Sequence, residues 1–600
     1  MPLAPRADRA AVVPFRRPAR ARVRIGRLGA GTLAAALLAA GAGCRPAGPT
    51  PAGAAAAGDD AVIYFNAVVL TGDPAHPRAA GLRIEGDRVT HLFDGAPPPA
   101  LHGRRVDLGG AAVLPGLVDA HLHLRGLGLA HRQLDLKGTR SAEEVAGLVR
   151  DAAGRAPAGA WVRGRGWDQN DWPDKRFPAH ALLDDAAPDH PVWLTRVDGH
   201  AVWVNAAAMR AAGVTSDTVA PAGGEILRDA AGAPTGVFVD NAIDLIEKKL
   251  PPPTEAELRE DVLAGAALCA KAGLTGVHDM GTTPEVLAVL RALAAEGRLG
   301  LRVWVFLDGQ RPAAEFEATL RTPLSADVAV SSAAGASRGG AGLVRVVGVK
   351  LFADGALGSR GAALIAPYSD RRDTKGLLVT APADLVARAA AVHAAGFQLA
   401  IHAIGDRGVR GALDAIAAAE GDDHTRRHRI EHAQVVAPAD VPRFAALGVV
   451  ASMQPTHATS DMPWAEARLG HVRIHGAYAW RTLTSAGAAL ALGSDAPVED
   501  ENPWSSIYAA VTRMDPAGAP PGGWRPEERL TLAEALAGFT RGAAFAVHAE
   551  GALGVLRPGA TADLTVVDAD PTAVAPAALR GVRTLRTVVA GREVYMAPAR

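Results

Sequence analysis

Eight short apolar runs, separated by segments of helical periodicity or by longer connections, constrain this chain more than anything else in it. They are Val113 to His123, Leu274 to Met280, Arg302 to Leu307, Val344 to Phe352, Gln398 to Ile404, His428 to Gln434, Val449 to Gln454 and Leu490 to Pro497. Between them Glu255 to Ala272, Pro284 to Glu296, Ala383 to Ala395 and Ala437 to Leu447 repeat apolar residues at helical spacing. A parallel strand covered on both faces reads as an unbroken apolar run, and eight such runs alternating with helices predict a (β/α)8 TIM barrel. The interval 125–250 is too long for one strand-to-helix connection, so it is expected to be an insertion subdomain over the strand ends.

Shorter strand patterns flank this core: Ala61 to Leu70, Gly81 to Ile84, Arg88 to Phe93 and Arg105 to Leu108 before it, Asp563 to Val567 and Thr584 to Tyr595 after it. The two ends are expected to build one small composite β-sandwich from residues 61–112 and 551–600, leaving 113–550 as the barrel. Ser325 to Gly342 is a Gly-, Ala- and Ser-rich loop without periodicity.

The first 60 residues read differently. Arg16, Arg17, Arg20, Arg22, Arg24 and Arg27 precede the apolar run Leu28 to Ala42, which is too short to span a bilayer, so 1–44 reads as a signal peptide. Gly41-Ala42-Gly43-Cys44 resembles a bacterial lipobox, so export to the cell envelope as a lipoprotein acylated at Cys44 is expected, with plain secretion as the alternative. Residues 45–60 read as a Pro-, Gly- and Ala-rich linker. The chain has two cysteines, Cys44 and Cys269, which excludes a disulfide framework and a cysteine-based zinc cluster. Its 63 basic and 63 acidic side chains cancel, which removes the electrostatic argument for nucleic acid or an anionic membrane surface. A small-molecule substrate is expected, with membrane contact only through the lipid anchor, and a homodimer is left open.

Barrel enzymes work at the C-terminal ends of their strands. His121 and His123 end the first run, His278 and Asp279 the second, Lys350 the fourth, His402 the fifth, His432 the sixth and Asp495 the eighth. His121 and His123, two residues apart on a strand, face the same way and form a metal corner. Charged and imidazole groups ending apolar strands are costly to bury unless they pair or coordinate, and coordination accounts for the set together. A lone strand-end imidazole such as His278 is more simply an orienting group, and Asp119 and Glu431 are read the same way. His428-Arg429-Ile430-Glu431-His432 matches a His-x-x-Glu-His peptidase pattern, but that pattern needs a helix and these flanks read as loop and strand.

Five motifs carry a resemblance: Val113 to His123, Val349-Lys350-Leu351-Phe352-Ala353-Asp354-Gly355, Ile401-His402-Ala403-Ile404-Gly405-Asp406, Arg429-Ile430-Glu431-His432-Ala433 and Gly493-Ser494-Asp495-Ala496-Pro497-Val498. In this order they resemble the amidohydrolase superfamily, within it the amidohydrolase-3 subgroup of YtcJ-like proteins and N-substituted formamide deformylases, from about Ala61 to about Tyr595. The resemblance implies one divalent metal on His121, His123 and Asp495, and a second on His402 and His432. It implies a carboxylated Lys350 bridging the pair, with zinc as the metal expected. A bare lysine would be repelled there, whereas its carbamate is an anionic oxygen ligand. Asp495 would serve as general base and then general acid. Asp198-Gly199-His200 resembles a subgroup motif in which His200 meets the substrate carbonyl, and Asp354, Ser359 and Arg360 are implied substrate contacts. Trp167, Trp172, His457 and Trp464 are candidates for the pocket wall, since aromatics with a polar edge suit a mixed cavity.

The function expected is metal-dependent hydrolysis of a non-peptide carbon–nitrogen bond in an amide, an N-formyl or N-acyl amine, or a cyclic amide. An esterase or lactonase is the enzymatic alternative, and a non-catalytic surface binding lipoprotein is the alternative of another class.

Overall fold

The computed structural model describes residues 61–324 and 342–598. The signal peptide, lipobox and linker expected over residues 1–60, and the loop 325–341, lie outside the described residues. Eight strands hydrogen-bond in chain order: β1 (Leu117–Leu122), β2 (Leu274–Thr282), β3 (Arg302–Asp308), β4 (Val344–Phe352), β5 (Gln398–Ala403), β6 (Arg429–His432), β7 (Val450–Met453) and β8 (Ala489–Leu492). Every neighbouring pair is parallel. Beyond the last strand, Asp495 N donates to His121 O at 2.7 Å and His123 N to Ala496 O at 2.9 Å, bringing the sheet close to a closed barrel. Gly493 permits that approach, because a Cβ there would sit 2.5 Å from both Asp119 Oδ1 and His121 N.

Alternation along the strands divides the core. Val303, Val305 and Leu307 of β3 pack in the same cluster as Val262, Leu287 and Leu290 of the surrounding helices. Trp304 and Phe306 turn the other way, into the barrel, and join Val118, Ala120, Met280, Val347, Ala400, Val450 and Ala491. Ala543, Ala546 and Val547 complete this inner cluster. Gln398, at the start of β5, donates to the Ala546 carbonyl at 2.7 Å, which places that segment under the N-terminal end of the strands. The barrel interior is therefore packed below and left to polar groups above.

The terminal strands form two further sheets. One has the order Arg88–Phe93, Gly81–Glu85, Ala61–Phe65, Arg104–Asp107; the other runs Arg592–Met596, Thr584–Val589, Leu564–Val567, Ala112–Pro115, Val68–Leu70, Arg78–Ala79. Leu564–Val567 pairs antiparallel with Ala112–Pro115, and Val62, Leu82, Val113, Val566 and Val588 share one buried cluster. Three runs expected as single strands are broken. Asn66 at φ 54° turns the chain between the first two strands, and Ala590 and Gly591 at φ 50° and 75° make the last hairpin. At Gly116 the chain leaves the terminal sheet for the barrel, so closely packed that a Cβ would lie 2.2 Å from Thr275 Oγ1.

The interval between β1 and the helix Glu255–Ala272 holds a six-stranded sheet: Gly224–Arg228, Pro234–Asp240, Ala201–Val204, Val192–Arg196, Val162–Trp167 and Leu134–Asp135. Trp167 stacks on Trp172 at 6.1 Å and both meet Trp203 edge to face at 6.2 and 6.4 Å in its core. No helix of the described residues is long and apolar enough to cross a membrane.

Candidate active site

His121, His123 and Asp495 converge where β1 meets the segment after β8. Asp495 Oδ1 lies 3.4 Å from His121 Nε2 and 3.2 Å from His123 Nε2, and one ligand atom from each of the three falls within 4.8 Å of the others. His432, His457 and Asp495 form a second such group, so Asp495 belongs to both. The His402 ring centroid is 4.6 Å from that of His432, and His432 is 4.8 Å from His121. Lys350 is buried in the same wall, its Nζ 5.0 Å from the Phe352 ring centroid, and Phe352 stacks on His402.

Each of three imidazoles has its Nδ1 hydrogen committed. His121 Nδ1 donates to Glu431 Oε2 at 2.6 Å, His123 Nδ1 to the Met280 carbonyl at 2.8 Å and His432 Nδ1 to Gln454 Oε1 at 2.8 Å. This leaves the Nε2 lone pairs free, the arrangement by which outer partners orient metal-binding histidines. Glu431 is anchored in turn by Arg429, whose Nε donates to Oε1 at 2.6 Å, and the same guanidinium donates to His278 Nδ1 at 2.8 Å and Ser452 Oγ at 2.7 Å. Burial opposes charge on Glu431, but Arg429 and His121 hold its carboxyl well below the usual range. Asp119 accepts from the backbone of His121 and Ser494 at 3.0 Å, and Asp279 from Leu124 N at 2.7 Å and Thr282 Oγ1 at 2.6 Å.

Arg429 and Glu431 point into the barrel, so strict alternation would turn His432 outward. His432 instead has φ 72°, a left-handed conformation that returns its ring to the cluster, and Asp495 has φ 61°. Such backbone costs on the order of 1–3 kcal/mol per residue and persists where surrounding structure enforces it, commonly at functional sites.

These residues fit a divalent metal. His121 Nε2, His457 Nε2 and Asp495 Oδ1 are buried polar atoms with no hydrogen-bond partner, although they crowd one another. Burial, together with neighbouring imidazoles and Lys350, pushes His402 and His432 well below the ordinary histidine range, so both are neutral donors. Burial likewise brings Lys350 down to about 8, with Arg429 adding to the effect and Glu431 and Asp495 opposing it. Burial opposes ionisation of Asp495, yet His121, His123 and His432 hold its carboxyl well below the usual range.

The insertion supplies the roof. Its strands Val192–Arg196 and Ala201–Val204 are antiparallel, and the turn between them, with Gly199 at φ 80°, presents His200 with its ring 4.9 Å from His402. His200 Nδ1 donates to Asp240 Oδ1 at 2.6 Å. Burial works against charge on His200, but Asp240, Asp198 and Asp495 raise its pKa above the ordinary value. Between roof and barrel lies a cavity of about 700 Å³, whose wall includes His200, Lys350, His457, Trp464 and Asp495.

Five residues expected at the substrate or the pocket wall are elsewhere. Asp354 is fully buried and accepts backbone hydrogens from Ala363, Ile404 and Gly405 at 2.8 to 2.9 Å, so it shapes the loop after β4 and does not reach the cavity. Arg360 pairs with Asp370 at 2.9 Å outside the cavity wall. Trp167 donates to the Leu194 carbonyl, and Trp172 to that of Thr139, within the core of the insertion. Ser359 Oγ donates to the Ala356 carbonyl. The orienting groups Arg429, Gln454 and Asp240 escaped sequence reasoning. Arg429, two residues before Glu431 on an inward-facing strand, carried a signal; Asp240, forty residues from its partner, carried none.

A near-closed parallel barrel with buried histidines, a lysine and an aspartate at its strand ends defines a metal-dependent hydrolase. The sequence pattern of the Amidohydrolase family matches residues 104–595, and the chain belongs to that family. It is a hydrolase acting on carbon–nitrogen bonds other than peptide bonds. It is 34% identical to YtcJ of Bacillus subtilis, covering 82% of this chain and 90% of that protein. It is 28% identical to the N-substituted formamide deformylase of Arthrobacter pascens, covering 88% and 97%. An uncharacterised metal-dependent hydrolase from Pyrococcus horikoshii superposes with a TM-score of 0.68 at 27% identity, covering 86% of this chain and 99% of that one.

Proposed function

We propose that the protein hydrolyses an amide, an N-formyl or N-acyl amine, or a cyclic amide, using two divalent ions, zinc in the first instance, held by His121, His123, Lys350, His402, His432 and Asp495. The observation that carries this reading is the crowding of His121 Nε2 and Asp495 Oδ1, both buried, neither hydrogen-bonded and 3.4 Å apart. A divalent ion held there would supply a water acidified toward neutrality and would polarise the substrate carbonyl.

The chain's own residues do the rest. Lys350 is the amine beside these imidazoles, and with a pKa brought to about 8 roughly a tenth of it is neutral at pH 7. The neutral amine adds carbon dioxide, forming an N–C bond and losing one proton, and becomes an anionic oxygen donor in place of a cation. Asp495 is ionised at neutral pH and accepts the proton released as water oxygen bonds the carbonyl carbon. It returns that proton to nitrogen as the C–N bond breaks. His200, oriented by Asp240, donates a hydrogen bond to the carbonyl oxygen as negative charge gathers there.

The test is turnover of a panel of formamides, N-acyl amines, cyclic amides, esters and lactones by zinc-loaded protein. Amide hydrolysis lost to a chelator and restored by zinc supports the reading. Turnover of esters alone supports the esterase alternative, and no turnover by fully loaded protein supports a binding role.

A further inference from the structure

Two arginines from the insertion line the cavity, and they are treated differently. Arg196 is held between Asp168 and Asp198, and its Nε donates to Gln169 Oε1 at 2.8 Å. Arg165, on the strand Val162–Trp167, has one bond: Nη2 donates to the Val197 carbonyl at 2.9 Å. Its Nε is buried with no partner, Nη1 has no partner among the described residues, and no carboxylate of those residues pairs with it. The acids whose charge reaches it are Asp495 and Asp198. Asp495 is engaged by His121 and His123, and Asp198 by Arg196. Asp461, another acid of the wall, accepts from Tyr478 at 2.6 Å and Gln434 at 3.0 Å.

A second cation stands beside it. Lys137 packs so closely that a Cβ at Gly166, next to Arg165, would lie 2.7 Å from Lys137 Cγ. Lys137 Nζ donates to the carbonyls of Pro497 and Val498 at 2.8 and 3.1 Å and also pairs with no carboxylate. Glu499, Asp135 and Asp500 act on Lys137 from nearby, so its charge is balanced within the wall, whereas the buried Nε of Arg165 is left without a hydrogen-bond partner, which is costly for a cation partly removed from water. Guanidinium matches carboxylate geometry, and its unpartnered edge borders the cavity that holds the catalytic aspartate.

We infer that Arg165 binds a carboxylate of the substrate, so that the preferred substrates are amides carrying a carboxylate near the scissile bond, N-acyl amino acids among them. The inference rests on the hydrolase reading above and deepens it. The reacting groups come from the barrel and the anion-binding group from the insertion, so chemistry and selectivity reside on different parts of the chain.

The test compares matched pairs, N-formylphenylalanine with N-formylphenethylamine and N-acetylleucine with N-acetylisoamylamine, on zinc-loaded wild type and Arg165→Met. Wild type is expected to favour the acid by at least about 100-fold in kcat/KM, mainly through KM, and Arg165→Met to lose that ratio. Arg165→Lys should keep part of it. A wild-type ratio near one, or the same ratio in Arg165→Met, overturns the inference while leaving the hydrolase reading intact. If no pair is turned over, calorimetric binding of the same acids and amines decides. Binding of the acid alone, lost in Arg165→Met, upholds the carboxylate site without the hydrolase reading. Equal binding of acid and amine, or none of either, overturns it.

Discussion

His121 Nδ1 and Glu431 Oε2 lie 2.6 Å apart, both side chains without solvent exposure, and join β1 to β6 across the barrel axis. Through Arg429 the same contact extends to His278, Ser452 and the Ala120 carbonyl, so one buried network sets the direction of an imidazole among the candidate metal ligands.

That network predicts the behaviour of Glu431→Gln. The amide keeps the shape but loses the charge that fixes the His121 tautomer, and zinc affinity should fall about 10- to 100-fold. Competition against a fluorescent chelator measures it. Glu431→Ala should be worse, since it leaves Arg429 buried without a counter-charge, at about 3–5 kcal/mol in denaturant unfolding. Unchanged zinc affinity in Glu431→Gln would remove Glu431 from this role.

Lys350→Ala should lose metal and activity together. In wild type grown or reconstituted with 13C-bicarbonate, a carbamate carbon resonance should appear and be missing from the variant. Full metal content with normal turnover in Lys350→Ala would sink the bridging role.

His200 approaches from the roof and touches no committed ligand nitrogen, so removing it should spare the metal. His200→Ala should retain wild-type zinc content while kcat falls about 100- to 1000-fold, the cost of one donor to a developing oxyanion. A proportionate loss of zinc would instead make His200 part of the metal cluster.

Asp461 supplies a pH test of stability. Burial raises its carboxyl to about 7, opposed by Tyr478 and His457. A carboxyl whose folded pKa exceeds the unfolded value near 4 binds its proton more tightly when folded, so its contribution is present below about pH 4 and is lost as pH rises to about 7. Asp461→Asn lacks this titration. Its melting temperature relative to wild type should rise between pH 4 and 7 and level off above, equivalent to about 1–2 kcal/mol for this part-buried group. A difference independent of pH would place the carboxyl's pKa in the ordinary range.

The barrel was legible because its strands are buried on both faces, which writes each as an apolar run of its own. The cluster of candidate ligands was legible because polar residues at the ends of such runs have no structural excuse. The insertion sheet was not, since strands such as Val162–Trp167, with Arg163 and Arg165 alternating with glycines, carry too little apolar signal. Trp167 and Trp172 misled because large aromatics serve a core as well as a cavity: they stack on each other and meet Trp203 edge to face, while Trp464 does line the cavity. Asp354 misled for another reason. A loop that must place three backbone N–H groups without a strand partner draws a carboxylate inward to accept them, and the sequence neighbour of a catalytic residue becomes a structural one.

The central claim is a two-metal hydrolytic site, and metal per chain tests it most directly. Protein beginning at Ala61, purified without chelator and supplied with zinc and bicarbonate, should carry about two divalent ions per chain by plasma mass spectrometry, falling well below that in Lys350→Ala. One ion per chain in both proteins, or none in either, would contradict the account.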